Sequence, residues 1–402
     1  MNNNWKIFLL AFISFLLGTL QFVFGGILDK VAASVGVSVS AAGQLITAFA
    51  LGSAIGTPIT MMVTAKMERR KLLLLALAVI ILSTISTVTL PGFSFLIVSR
   101  VVLGIGFGVY GVCAFSIVEK LAPAGRKARA LSNLAMGSSA ALVLGIPLAR
   151  MVTTTYGWKA IFWGIGILSL LSFFAVMRAI PATESEAPVP LGRQLALLKK
   201  PKIDIALGVT FFMFTSYSVV NTYITPFLTS VMPMIEHEIS AILFGLGVAS
   251  LIGAKLGGLL ADHIGAELTL IGGMVVQALA LVLISIFPTS VIVTVPLLML
   301  WAIAAWTSGL TLNLNLVKLA PEASGIMLSL NGSFIQFGFA AGAGIGGIAV
   351  GGSSIIAISW IGAVSVAFSA CAAAVSFGLP VLSQVHDNEV LEDKPYKAIK
   401  ME

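Results

Sequence analysis

Arg100 carries a permanent charge inside an apolar run, and a guanidinium at hydrocarbon depth is costly unless it is paired or hydrated. It is expected to face a hydrated cavity; a snorkelling anchor is the alternative, since it lies only about six residues from the start of its run. Acids that could exchange protons sit at the ends of the runs. Asp29 closes the first, Glu119 closes the fourth, Asp204 opens the seventh and Asp262 follows the eighth. A proton route through Asp29 or Glu119 stands beside the blander reading of each as a solvated helix end. His237, His263 and His386 fall in or beside loops, without the spacing of a metal site or relay. No acid, base and nucleophile converge, so neither an enzyme, a metal nor a cofactor is expected.

What remains near the middle of the runs is uncharged. Gln21, Phe22, Tyr110, Tyr217, Asn221, Trp306, Asn313, Asn331 and Gln336, with Arg100, form the candidate solute site. Amides and aromatic rings can hydrogen-bond and stack a flat neutral molecule such as a nucleobase, whereas a charged solute would want a fixed counter-charge. Each amide could equally bond a neighbouring helix.

The elements that must position these groups are membrane helices. Of 402 residues, 58% are hydrophobic and 10% charged, and the mean hydropathy is +1.06. Water cannot be the main solvent of such a chain. A bilayer span needs about 20 apolar residues. Runs of that order occur at 7–27, 41–63, 72–90, 94–118, 130–152 and 160–181, then at 203–229, 239–260, 268–287, 291–316, 325–349 and 355–381. The first is too long for a signal-peptide core and reads as a retained helix. Its net charge of +7 does not indicate nucleic acid, because the basic residues gather at helix ends rather than on one reading face. Cys113 and Cys371 lie in apolar runs and form no redox or metal pair.

Basic residues mark the cytoplasmic side. With the N-terminus inside, Lys66, Arg69, Arg70 and Lys71 are inside, as are Lys120, Arg126, Lys127, Arg129, Arg193, Lys199, Lys200 and Lys202. Only Lys30, Arg150 and Lys159 then face out. Both termini are therefore expected in the cytoplasm. The polar stretch 182–202 divides the chain into bundles at 1–181 and 203–381, followed by a tail at 382–402. Such a plan places a solute near the midplane between two pseudo-symmetric halves. Glycines four apart, at Gly104 and Gly108, Gly253 and Gly257, and Gly338, Gly342 and Gly346, predict close helix contacts within one bundle, and a monomer.

Several motifs carry a resemblance. The segment from Gly56 through Lys66, Arg69 and Arg70 to Lys71 resembles the cytoplasmic loop signature of the major facilitator superfamily, with Ala65 where that signature has an acid. Its counterpart, Gly253-Ala-Lys-Leu-Gly257-Gly258-Leu-Leu-Ala-Asp262-His-Ile-Gly265, matches more closely. Arg100 with Gly104 is similar to the fourth-helix signature, and Gly137 with Gly145-Ile-Pro147 to the fifth-helix motif of exporting antiporters. Tyr156-Gly157-Trp158-Lys159 resembles a turn common in these carriers. The chain thus resembles drug:proton antiporters, and Ala42-Gly43-Gln44-Leu45 and Phe49-Ala-Leu-Gly52 look most like bacterial purine efflux pumps.

The resemblance implies an all-α fold of twelve transmembrane helices in two pseudo-symmetric six-helix bundles, in the cell (inner) membrane. It implies export of a small organic solute by alternating access, in exchange for protons. Asp29, Glu119, Arg69, Arg70, Gly145, Pro147 and Asp262 become the coupling or gating candidates. Related exporters often carry an acid in the middle of the first helix, where this chain has Gln21. That leaves an uncoupled facilitator as an alternative, and a non-transporting sensor on the same fold as another.

Overall fold

The computed structural model describes residues 4–123, 126–182, 200–319, 323–352 and 354–378. The expected linker falls mostly, and the expected tail wholly, outside the described residues. Twelve helices there are long and apolar enough to cross a membrane. They are α1 (Asn4–Val35), α2 (Val39–Val63), α3 (Arg69–Thr89), α4 (Phe93–Leu121), α5 (Arg129–Tyr156) and α6 (Trp158–Ala179), then α7 (Pro201–Val231), α8 (Pro233–His263), α9 (Ala266–Ile286), α10 (Val291–Leu319), α11 (Gly325–Gly352) and α12 (Ala357–Gly378). A helix satisfies its own backbone polar groups, which is what a hydrocarbon solvent demands. The observed α1 outruns its expected span because the helix continues past Asp29 until Gly36, whose φ of +73° few other residues adopt. Short connections make consecutive helices antiparallel, so α1 and α7 both begin on the side of the 183–199 segment, here called the linker side; the opposite side is the distal side.

The packing repeats itself between halves. In the first, α1 packs on α5 and α6, α2 on α4, and α3 on α4 and α6. In the second, α7 packs on α11 and α12, α8 on α10, and α9 on α10 and α12. Adding six to each label of the first set gives the second, which is a pseudo-twofold relation. The same operation relates the contacts between halves: α2 meets α11, α5 meets α8, and α1 meets α7.

Two of these interface helices are not regular. In α2, Gly52–Gly56 form a π-turn just before Pro58; in α5, Ala141–Gly145 form another just before Pro147. Proline lacks an N–H and its ring clashes with the carbonyl four residues back, and the wider π-turn absorbs both faults. The segments beyond them on the linker side, Thr57–Val63 and Lys127–Ala140, pack chiefly within the first half. The π-turns therefore mark where α2 and α5 part from the second half. Consistent with this, the distal ends of both halves share one apolar core. The linker-side ends of the second half, around Leu207, Met274, Leu312, Leu316 and Met327, form a core of their own. The halves are joined distally and separate toward the linker side.

The glycines four apart serve the contacts within halves. A Cβ on Gly104 would lie 2.1 Å from the Phe49 carbonyl, one on Gly253 2.3 Å from that of Ile303, and one on Gly342 2.4 Å from that of Thr215. Those approaches join α4 to α2, α8 to α10 and α11 to α7.

Candidate functional site

Where the halves meet near mid-helix, a narrow cavity of about 10 Å³ is lined by Gln21, Phe22 and Gly25 of α1, Ile46, Phe49 and Ala50 of α2, Asn221 and Thr222 of α7, and Gln336 and Phe339 of α11. Four of the expected solute-site residues thus come together: Gln21, Phe22, Asn221 and Gln336. The Phe22 and Phe339 rings face each other from opposite halves at 6.0 Å between centroids, tilted by 57°. Gln336 is 8% exposed, and its Nε2 donates to Ser53 Oγ across the halves at 3.2 Å. Among the described residues, no charged side chain lines this cavity.

Tyr217 and Trp306 stand one ring away. Tyr217 packs edge-on against Phe339 at 5.9 Å, stacks on Trp301 at 5.2 Å, and accepts a 3.4 Å hydrogen bond from Trp306 Nε1. Neither lines the cavity. Asn313 and Asn331 lie nearer the linker side, in a chain in which Thr210 Oγ1 donates to Asn331 Oδ1 at 2.8 Å and Asn331 Nδ2 donates to Asn313 Oδ1 at 2.7 Å. These amides tie α7, α10 and α11 together, the helix-bonding role left open for them in the sequence.

Arg100 does not face the cavity. It is fully buried between α1, α2 and α4, where its Nη1 donates to the Leu20 carbonyl at 3.0 Å and its Nε to the Leu45 carbonyl at 3.3 Å. The guanidinium lies 4.6 Å from the Phe24 ring centre and 4.7 Å from that of Phe49. Carbonyl dipoles and ring faces replace the hydration that a cavity would have supplied. Leu20 and Leu45 belong to the turns that carry Gln21 and Ile46, so Arg100 braces the cavity wall from behind. Tyr110 is likewise buried, and its hydroxyl donates to the Leu10 carbonyl at 2.7 Å.

The charged candidates divide by side. Asp29 is not a solvated helix end: its carboxylate accepts from Arg150 Nη1 at 2.5 Å, with 17% of the Asp29 side chain and 2% of that of Arg150 exposed. Arg150 also donates to the Gly26 carbonyl. This α1–α5 pair was missed in the sequence, although a basic residue on the distal side, three after Pro147, breaks the charge rule and was a signal. Close by, Lys30 meets Glu236 of the other half at 2.8 Å, and Thr225 Oγ1 donates to the Gly25 carbonyl at 2.7 Å. On the linker side Glu119 is exposed and pairs with Lys127 at 3.0 Å. Arg69 is buried at the start of α3, Arg70 donates to the Met177 carbonyl of α6, and Asp262 is exposed at the end of α8. Gly145 lets α5 approach α1, since a Cβ there would lie 2.2 Å from Thr19 Oγ1. No group of three or more His, Cys, Asp and Glu that could hold a metal ion occurs among the described residues.

Residues 10–343 match the model of the Major Facilitator Superfamily. The chain belongs to that superfamily. A relative from Bacillus subtilis (strain 168), named uncharacterized MFS-type transporter YbcL, is 41% identical over 377 residues, covering 94% of this chain and 97% of the relative. Among solved structures, a bacterial homologue of the human lysosomal transporter Spinster, inward-facing and unoccupied, aligns with a TM-score of 0.72 at 16% identity, over 94% of this chain and 98% of that one. The nucleoside transporter NupG aligns with a TM-score of 0.75 at 14% identity, over 94% and 100%. This major facilitator protein is thus a multi-pass membrane transporter, a carrier and not an enzyme. In a carrier of this superfamily, a midplane cavity shared by two pseudo-symmetric halves is where a solute is held while access alternates.

Proposed function

We propose that the protein is a secondary active exporter of a small, flat, uncharged organic solute, purine-like or drug-like, working as a monomer in the cell (inner) membrane. The observation that carries this reading is the cavity between the halves, whose amides and phenylalanines can bond and stack a neutral ring but offer no counter-charge. Both termini and the linker are cytoplasmic in this reading, and the separation of the halves toward the linker side is then the inward-open form. Export in exchange for protons follows from the resemblance of the Gly145-Ile-Pro147 segment to antiporter motifs. Asp29, paired with Arg150 on the distal side, is the acid best placed to meet protons from outside. Residues 1–181 and 203–381 rock as two bodies about the site.

The test begins by comparing the solutes retained by cells lacking and overproducing the protein. The solute so identified is then followed in sealed vesicles with an imposed pH gradient. Acid on the distal side should drive its movement toward that side. A second reading, an uncoupled facilitator, is favoured by the lack of any titratable group among the described residues of the cavity wall. Flux that ignores both pH gradient and membrane potential would establish it in place of antiport.

A further inference from the structure

The charges at the distal rim of the first half do not balance. Asp29, Lys30 and Arg150 bring one negative and two positive charges there, a surplus of one positive. That surplus faces Glu236, which stands at the start of α8 in the other half. Lys30 Nζ bonds its Oε1 at 2.8 Å, and Arg150 and the neighbouring His237 also act on it electrostatically. Arg150 has hydrogen-bonding capacity to spare. Its Nη1 serves Asp29 and the Gly26 carbonyl, while its Nη2 is buried and makes no hydrogen bond to any described residue. Other contacts that close this end are neutral: Ser40 Oγ donates to the Gly347 carbonyl at 2.6 Å, and Thr225 Oγ1 to that of Gly25.

We infer that Glu236 is the movable counter-charge of a distal latch, held against the first half by Lys30 and, whenever Asp29 is neutralised, by Arg150. Of the four side chains only Glu236 belongs to the second half, so its attraction to the rim is lost when the halves part. Each charge therefore acts in a direction of its own. Removing the negative charge of Asp29 enlarges the surplus and tightens closure. Removing the positive charge of Lys30, or the negative charge of Glu236, loosens it. Side chains that merely filled space would show no such opposition of sign. Lys30 and Glu236 are exposed to water and salt, which keeps the latch weak enough to break in every cycle. The proton-exchange reading gives the latch a use, and that use alone rests on it: a proton on Asp29 leaves Arg150 to Glu236, so protonation and distal closure favour each other.

Pulsed electron resonance reads the latch without a solute or a gradient. Spin labels at Tyr156→Cys and Ile292→Cys mark the exposed distal ends of α5 and α10, one in each half, in a protein whose Cys113 and Cys371 are replaced by serine. The ratio of the long-distance to the short-distance population should rise about two- to fivefold in Lys30→Gln and in Glu236→Gln. Adding Asp29→Asn to Lys30→Gln should bring the ratio back toward that of the parent. Adding it to Glu236→Gln should change nothing. Exchanging the pair, Lys30→Glu with Glu236→Lys, leaves Asp29 and Arg150 untouched and should close the distal end relative to either reversal alone. Unchanged distances in Glu236→Gln, or further opening when Asp29→Asn joins Lys30→Gln, overturn the inference. So do an Asp29→Asn effect that persists beside Glu236→Gln and an exchanged pair no more closed than its single reversals. Flux in an imposed pH gradient judges proton exchange separately, and failure there leaves the order of these populations as it stands.

Discussion

Arg150 reaches from the fifth helix to Asp29 of the first and holds its carboxylate at 2.5 Å, with only 2% of the arginine side chain exposed. The pair lies on the distal side, where Lys30–Glu236 and Thr225–Gly25 bind the two halves to each other. It also lies one turn beyond the π-turn in α5. Interhelical geometry at the closed end thus depends on a charge pair set beside an irregular helix.

Removing one member of such a pair leaves the other charge unmet. Arg150→Ala is expected to destabilise the detergent-solubilised protein by about 3 kcal/mol. The double variant Asp29→Asn with Arg150→Ala should be distinctly milder than the losses of Asp29→Asn and Arg150→Ala combined. Thermal unfolding of the four proteins checks this, and additive losses would show that the two side chains are not coupled.

Arg100 makes a second prediction, and here chemistry matters more than charge. Arg100→Ala should abolish transport while leaving membrane insertion intact. Arg100→Lys should also lose at least about tenfold, because an ammonium on a flexible stem cannot serve two carbonyls while presenting a flat face to Phe24 and Phe49. Flux measured on equal amounts of inserted protein decides; near-normal transport by the lysine variant would remove the bracing role.

Pro147 tests the π-turn. In Pro147→Ala the N–H returns and the ring clash is gone, so Ala141–Gly145 can revert to regular helix and turn the face that meets α8. Turnover should fall several-fold with little change in melting temperature. A variant that transports at the original rate would show that the irregularity plays no part in the cycle.

Much of this architecture was legible in the residues. Spans declare themselves through length and apolarity, because lipid imposes the same demand on every one of them, and the glycines four apart marked contacts that the fold places within halves. The site was legible only in part. Gln21, Phe22, Asn221 and Gln336 stood out as polar or aromatic groups in mid-span, and they converge. Arg100, Tyr110, Asn313 and Asn331 have the same signature in sequence, yet they bond helices to each other. Which face of a helix meets the partner bundle depends on packing across the chain, and neither residue type nor depth encodes it. Arg150 was hidden for another reason: its partner is 121 residues away. The π-turns were hidden because a proline in a span predicts a fault in the helix without saying how the backbone repairs it.

The central claim is that the halves, joined distally in this form, must part there for each transport cycle. Ser40 of α2 and Gly351 of α11 lie across that junction, and a Cβ on Gly351 would be 3.2 Å from the Cβ of Ser40, close to disulfide spacing. Transport should be measured with Ser40→Cys and Gly351→Cys together, in a protein whose Cys113 and Cys371 are replaced by serine. The account predicts that oxidation stops transport and that reduction restores it. Undiminished transport by the fully oxidised, cross-linked protein would contradict it.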